Sequence, residues 1–126
     1  MNDVKKIEIP LTLDGQTVGL ETGPGGLAPG RETLVLIHGS GGSRLSWRGQ
    51  LKPLDRVLNV AALELPGHGE TPGPAQMTIG ERAAWLLRAL DELPLPGRPY
   101  LAGTSMGGAV VLETALLRPG FAAGLI

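Results

Sequence analysis

Gly103-Thr104-Ser105-Met106-Gly107 is a G-x-S-x-G, and its serine is the residue best placed to do chemistry. An apolar run ending at Ala102 precedes the motif and a helical pattern follows it. That strand–turn–helix setting is what such a motif needs to lift a hydroxyl above a sheet. The turn must be sharp, with the serine backbone strained. A side chain at position 103 or 107 would collide with the neighbouring strand or helix, so both must be glycine. The chemistry is nucleophilic attack by Ser105, with the Met106 amide aimed at the developing oxyanion. The N-terminus of the following helix adds a dipole of the right sign. Glycine-rich strand–helix turns also bind phosphate, but the chain has no G-K-[ST] and the turn does not fit G-x-G-x-x-G.

An oxyanion needs two converging donors. The loop His38-Gly39-Ser40-Gly41-Gly42, which follows the apolar run Leu34–Ile37, offers the second, from the amide of Ser40 or of Gly41.

These turns must be held by a frame, and the rest of the sequence describes one. The chain has 126 residues, 42% of them hydrophobic, which suits a single domain over residues 1–126. Its 20 Gly and 11 Pro fall between periodic segments and read as turn residues. With 11 basic and 12 acidic residues, nothing in the charge attracts nucleic acid or an anionic membrane. The absence of cysteine excludes disulfides and thiolate metal sites and suits a reducing compartment. Met1–Lys6 is not followed by the apolar run of a secretory signal, and no stretch approaches the roughly 20 apolar residues that span a bilayer. The expectation is a cytoplasmic protein with no metal or organic cofactor.

Lys6–Leu13 alternates with period two and reads as a strand. Asp14-Gly15 is a hairpin turn, and Thr17–Glu21 the return strand. Leu34–Ile37 is unbroken by polar residues, as in a strand buried on both faces. Leu45, Trp47 and Leu51 line a short helix that stops near Pro53, and Val57–Leu63 is the next strand. Ile79–Leu93 is the clearest helix, with one apolar face of Ile79, Ala83, Leu86, Leu87 and Leu90. Thr78 and Glu81 have the spacing of a capping box. Arg98–Ala102 is a further strand and Ala109–Leu117 a helix. Trp47 and Trp85 read as packing residues, and Asp91 and Glu92 as a solvated helix end. A hairpin followed by three strand–helix units predicts the α/β class, a mostly parallel sheet with helices on both faces. Ligands bind at the carboxyl ends of such strands, where all three glycine-rich turns fall.

The His38-Gly39 loop, the Leu65-Pro66-Gly67-His68-Gly69 loop and the Gly103–Gly107 turn stand in the order found in α/β-hydrolases, and the chain resembles that family over nearly its whole length. The resemblance implies a nucleophile at Ser105 and backbone donors at Ser40 and Met106. Gly39, Gly41, Gly103 and Gly107 shape the motifs, and His38 is a structural member of the oxyanion loop. It implies an ester, thioester or related acyl small molecule as substrate. Where the family often has Asp before the Pro66 loop, Glu64 and Leu65 stand here. The serine is unlike the aspartate of the related haloalkane dehalogenases.

In this fold the triad runs Ser, then Asp or Glu, then His. Downstream of Ser105 the chain has only Glu113 as an acid and no histidine. It stops in an apolar run at Gly124-Leu125-Ile126, so the expectation is an α/β-hydrolase truncated before its last strands, close to inactive by itself. His68 is a poor substitute base. By the family's topology the strand ending at Ile37 separates its strand from that of Ser105. The alternative is a non-catalytic remnant that binds a small ligand or a partner chain. Substrate identity and oligomeric state are not written in the sequence.

Overall fold

The computed structural model describes residues 11–74 and 76–126. The part of the first expected strand up to Pro10 lies outside them. β1 (Thr12–Leu13) and β2 (Gln16–Thr17) form an antiparallel hairpin around Asp14 (φ 54°) and Gly15 (φ 77°). The expected single return strand is divided. After Val18 and Gly19 the chain leaves the hairpin, and β3 (Leu20–Thr22) joins the main sheet. The break has a hydrogen-bonding cause. The Val18 amide still donates to Leu11 O, whereas Gly19 O accepts from the Glu64 amide and the Gly19 amide donates to Thr71 Oγ1.

The main sheet adds β4 (Thr33–Ile37), β5 (Asn59–Leu63), β6 (Tyr100–Gly103) and β7 (Gly124–Leu125) in the order β3-β5-β4-β6-β7. Only β3 is antiparallel. All five residues of β4 and of β5 are buried, and alternation divides them between two cores. Val35, Ile37, Ala61, Leu63 and Leu101 face one core with the apolar side of α2 (Ile79–Asp91) and Val110 and Val111 of α3 (Met106–Leu117). Leu34, Leu36, Val60, Ala62 and Ala102 face the other with Leu51 of α1 (Arg48–Asp55). Burying each larger aliphatic side chain stabilises by about 1.5–3 kcal/mol, so two-sided burial accounts for the unbroken apolar runs.

α2 carries the expected cap: the Glu81 amide donates to Thr78 Oγ1 at 3.0 Å and the Thr78 amide to Glu81 Oε1 at 2.8 Å. Trp85 and Trp47 pack against the first and second cores respectively. Asp91 is exposed but bound: Arg118 donates to both its oxygens, at 2.7 and 3.0 Å, tying the ends of α2 and α3.

The short helix ends two residues beyond Pro53, near where it was expected to stop. A 3₁₀ turn (Arg44–Trp47) leads into α1, which carries Pro53 and runs to Asp55. A proline removes one intrahelical bond, and here only two residues follow it. β5 starts at Asn59, two residues later than the apolar run, because the Val57 and Leu58 amides still donate to Leu54 O. β6 likewise starts at Tyr100, after Pro99, which has no amide to give. β7 forms within the apolar run Gly124-Leu125-Ile126. Among the described residues no helix is long and apolar enough to cross a membrane.

Candidate active site

The turn between β6 and α3 has the shape its sequence predicts. Ser105 is exposed and takes φ 55°, ψ −119°. For a residue with a Cβ this left-handed region is strained by about 1–3 kcal/mol, a cost that persists only where the surroundings impose it. They do so here by close approach. A Cβ on Gly103 would overlap the backbone of Gly107 and Gly108, and one on Gly107 would overlap the carbonyls of Ile37 and His38. The elbow is therefore pressed against both its own helix and the end of β4. The Thr104 amide donates to Ile37 O at 3.3 Å, and the Gly107 amide to Thr104 O at 2.9 Å. Among the described residues nothing hydrogen-bonds the Ser105 hydroxyl or the Met106 amide.

The loop after β4 passes directly beside this turn. A Cβ on Gly39 would lie 3.2 Å from Thr104 O and 3.4 Å from Ser105 Cβ. Gly39 and Gly42 close a turn (3.0 Å), with Gly41 at φ 76° in its third position, where a type II turn requires glycine. The two amides left open by sequence separate in the structure. Gly41 donates to His68 Nε2 at 3.3 Å, whereas the Ser40 amide has no partner among the described residues.

Both histidines are structural pins. His38 is fully buried. Its Nε2 accepts from the Leu65 amide at 3.1 Å and its Nδ1 lies 2.7 Å from Gly39 O, which assigns the proton to Nδ1. Burial outweighs the Gly39 carbonyl and, with His68 nearby, lowers the pKa of His38, keeping the ring neutral. His68 Nδ1 lies 3.1 Å from Pro66 O. The two rings are 4.7 Å apart. With all four ring nitrogens engaged, neither is free to take a proton from Ser105. β4 does stand between β5, which leads to His68, and β6, which leads to Ser105.

Glu64 is the residue whose importance sequence reasoning missed. It is buried at 1% exposure, and its carboxylate accepts from the Arg44 guanidinium (2.7 Å), the Arg44 amide (3.1 Å) and the Glu70 amide (2.8 Å). Burial opposes the charge on Arg44, but Glu64, Glu70 and Glu21 together outweigh it and raise the arginine pKa. Space for the carboxylate comes from Gly19 and Gly69, where an added Cβ would overlap it. The available signal was an acid inside the apolar run Val60–Leu65, because a buried charge requires partners.

Among the described residues no group of three or more His, Asp or Glu side chains is gathered to hold a metal. Glu113, the acid downstream of Ser105, sits on α3 and forms no hydrogen bond with it.

Comparison with known proteins agrees with this geometry. A model described as the alpha/beta hydrolase family matches residues 34–126. The dihydrolipoyllysine-residue acetyltransferase component of the acetoin cleaving system of Cupriavidus necator is 38% identical over 91 residues, 71% of this chain and 24% of that protein. A putative carbamate hydrolase, RutD, of Pseudomonas syringae is 42% identical over 89 residues, 69% of this chain and 34% of that protein. A solved structure of a serine hydrolase involved in carbazole degradation superposes with a TM-score of 0.81 at 26% identity, over 96% of this chain and 46% of that one. The chain thus spans about a quarter to a third of the length of these two curated relatives.

Proposed function

This chain belongs to the alpha/beta hydrolase family, and from that premise we propose that it carries the nucleophile and oxyanion hole of a serine hydrolase acting on an ester, thioester or related acyl small molecule. The observation that carries the reading is Ser105 itself. A non-glycine residue is held at φ 55°, and among the described residues its hydroxyl and the amides of Met106 and Ser40 have no hydrogen-bond partner. Strain of this kind survives where function maintains it.

In this reading Ser105 Oγ attacks the acyl carbonyl carbon while its proton passes to a histidine outside residues 1–126. The carbonyl oxygen becomes an oxyanion that accepts hydrogen bonds from Ser40 and Met106. Collapse breaks the bond to the alcohol or thiol, which leaves with that proton, and water then hydrolyses the acyl-enzyme. A carboxylate, also outside these residues, orients the base. No step requires a metal or organic cofactor, and the absence of cysteine suits a cytoplasmic setting.

Loss of triad partners lowers kcat by about 10⁴–10⁶, so residues 1–126 alone are close to inactive in this reading. The test is turnover of p-nitrophenyl butyrate by the full gene product, beside the 126-residue chain and Ser105→Ala. Ser105-dependent turnover in the full product, absent from the short chain, supports the reading. Turnover that survives Ser105→Ala, or none in the full product with any simple acyl ester or thioester, rejects it.

A further inference from the structure

We propose that His68 is a positioning residue for the oxyanion hole: by accepting the Gly41 amide it fixes the turn that presents the Ser40 amide to the substrate. The proposal rests on the hydrolase reading above. Gly39-Ser40-Gly41-Gly42 contains three glycines, and its internal restraint is the single bond from the Gly42 amide to Gly39 O. The soft motion of such a turn is rotation of its central peptide, between Ser40 and Gly41, which exchanges type II for type I geometry. That peptide carries the Gly41 N–H, and the acceptor it meets is His68 Nε2 at 3.3 Å. A rotated peptide would lose the bond and reverse the Ser40 carbonyl, and the accompanying change in Ser40 ψ would free the turn that carries the Ser40 N–H to shift.

His68 is built to be an acceptor. Its Nδ1 lies 3.1 Å from Pro66 O, a carbonyl that only accepts, so the ring proton resides there and Nε2 keeps its lone pair. The ring cannot drift. Its loop is closed by bonds from the His68 amide to Leu65 O, the Thr71 amide to His68 O and the Gly67 amide to Thr71 O. One face of the ring meets His38 at 4.7 Å. His38 binds the same two loops together at a second point, through Leu65 N and Gly39 O. The 65–71 loop thus grips the oxyanion loop at both ends of its turn. It also settles which amide is the donor: Gly41 is committed to His68, and Ser40 is left for substrate.

The test compares His68→Phe, which keeps ring volume without an acceptor, with His68→Gln, whose amide oxygen reaches the Nε2 position. Hydrolysis of p-nitrophenyl butyrate by the full gene product supplies kcat and KM, and the Gly41 amide is followed by NMR. Loss of a whole oxyanion donor costs about 10²–10³ in kcat; a donor misdirected part of the time should cost His68→Phe about tenfold or more. KM should change less than about threefold, because this donor acts mainly in the transition state. The Gly41 resonance should move and exchange faster in His68→Phe, and His68→Gln should restore both kcat and the resonance. Unchanged kcat in His68→Phe, or an equal loss in His68→Gln, would overturn the proposal. If the unsubstituted protein shows no Ser105-dependent turnover, the hydrolase reading fails and the positioning role with it. A Gly41 resonance that still follows His68 would then mark the failure as one of function, not of the hydrogen bond.

Discussion

The two turns that meet at Ser105 are held by opposite means. The Gly103–Gly107 elbow is shaped by what is missing: two absent side chains let backbone pack on backbone, and a strained serine results. The His38–Ser43 loop is shaped by what reaches it from elsewhere, namely His68, the Leu65 amide and, through Arg44, the carboxylate of Glu64. Steric exclusion has no graded response, because overlapping backbone atoms cannot relax without moving a strand. Hydrogen-bonded pins can be loosened one at a time. Ser105 is therefore placed rigidly, and the Ser40 amide adjustably.

That contrast can be broken most severely at Gly107. Gly107→Ala drives a Cβ into the carbonyls of Ile37 and His38 and should destabilise by about 3 kcal/mol or more, or prevent folding. Urea unfolding of soluble protein measures it, and a loss below about 1 kcal/mol would show that the elbow does give way. Glu64→Ala should come next. It leaves the Arg44 and Glu70 amides without their acceptor, while Glu21 and Glu70 still face the 21%-exposed Arg44. An expected loss of about 2–3 kcal/mol follows. Hydrogen exchange should rise at residues 40–44 and stay unchanged at 103–108; equal rises would erase the distinction between the two turns.

Ser105→Gly should act in the other direction. It relieves the left-handed strain and should stabilise by about 1 kcal/mol while removing the proposed nucleophile. An unchanged unfolding midpoint would mean that the serine is not strained. The smallest effect belongs to pH. The pKa of His38 is lowered in the folded protein from the ordinary 6.5. The unfolded chain therefore takes up a proton first as pH falls. The stability contributed by the neutral ring is full above about pH 6.5 and declines below it, until the folded protein also protonates. Urea midpoints at pH 7.5 and 5.5 should differ by more in the parent than in His38→Gln.

Much of the site could be read from residue order because its determinants are local. The elbow lies within five residues, and each of its requirements names a residue type. The capping box of α2 and the two-sided burial of β4 and β5 were legible for the same reason. Errors occurred where a distant partner intervened. The return strand divides because Gly19 answers to Glu64 and Thr71, more than forty positions away. Asp91 is the exposed helix end it read as, and what residue order did not show is its partner, Arg118. The start of β5, read at Val57, marks a different failure, because the Val57 and Leu58 amides are still taken by Leu54 O at the helix end.

By itself, the sequence determined the class of fold, the strained serine turn and the position of the loops, since these follow from periodicity and from glycines at short spacing. Tertiary structure decided which of two amides in a glycine-rich loop stays free, and what use is made of two histidines and a buried glutamate. Ser40 and Gly41 are indistinguishable as donors along the chain. They differ only because the fold carries His68, 27 residues beyond Gly41, to within 3.3 Å of one of them.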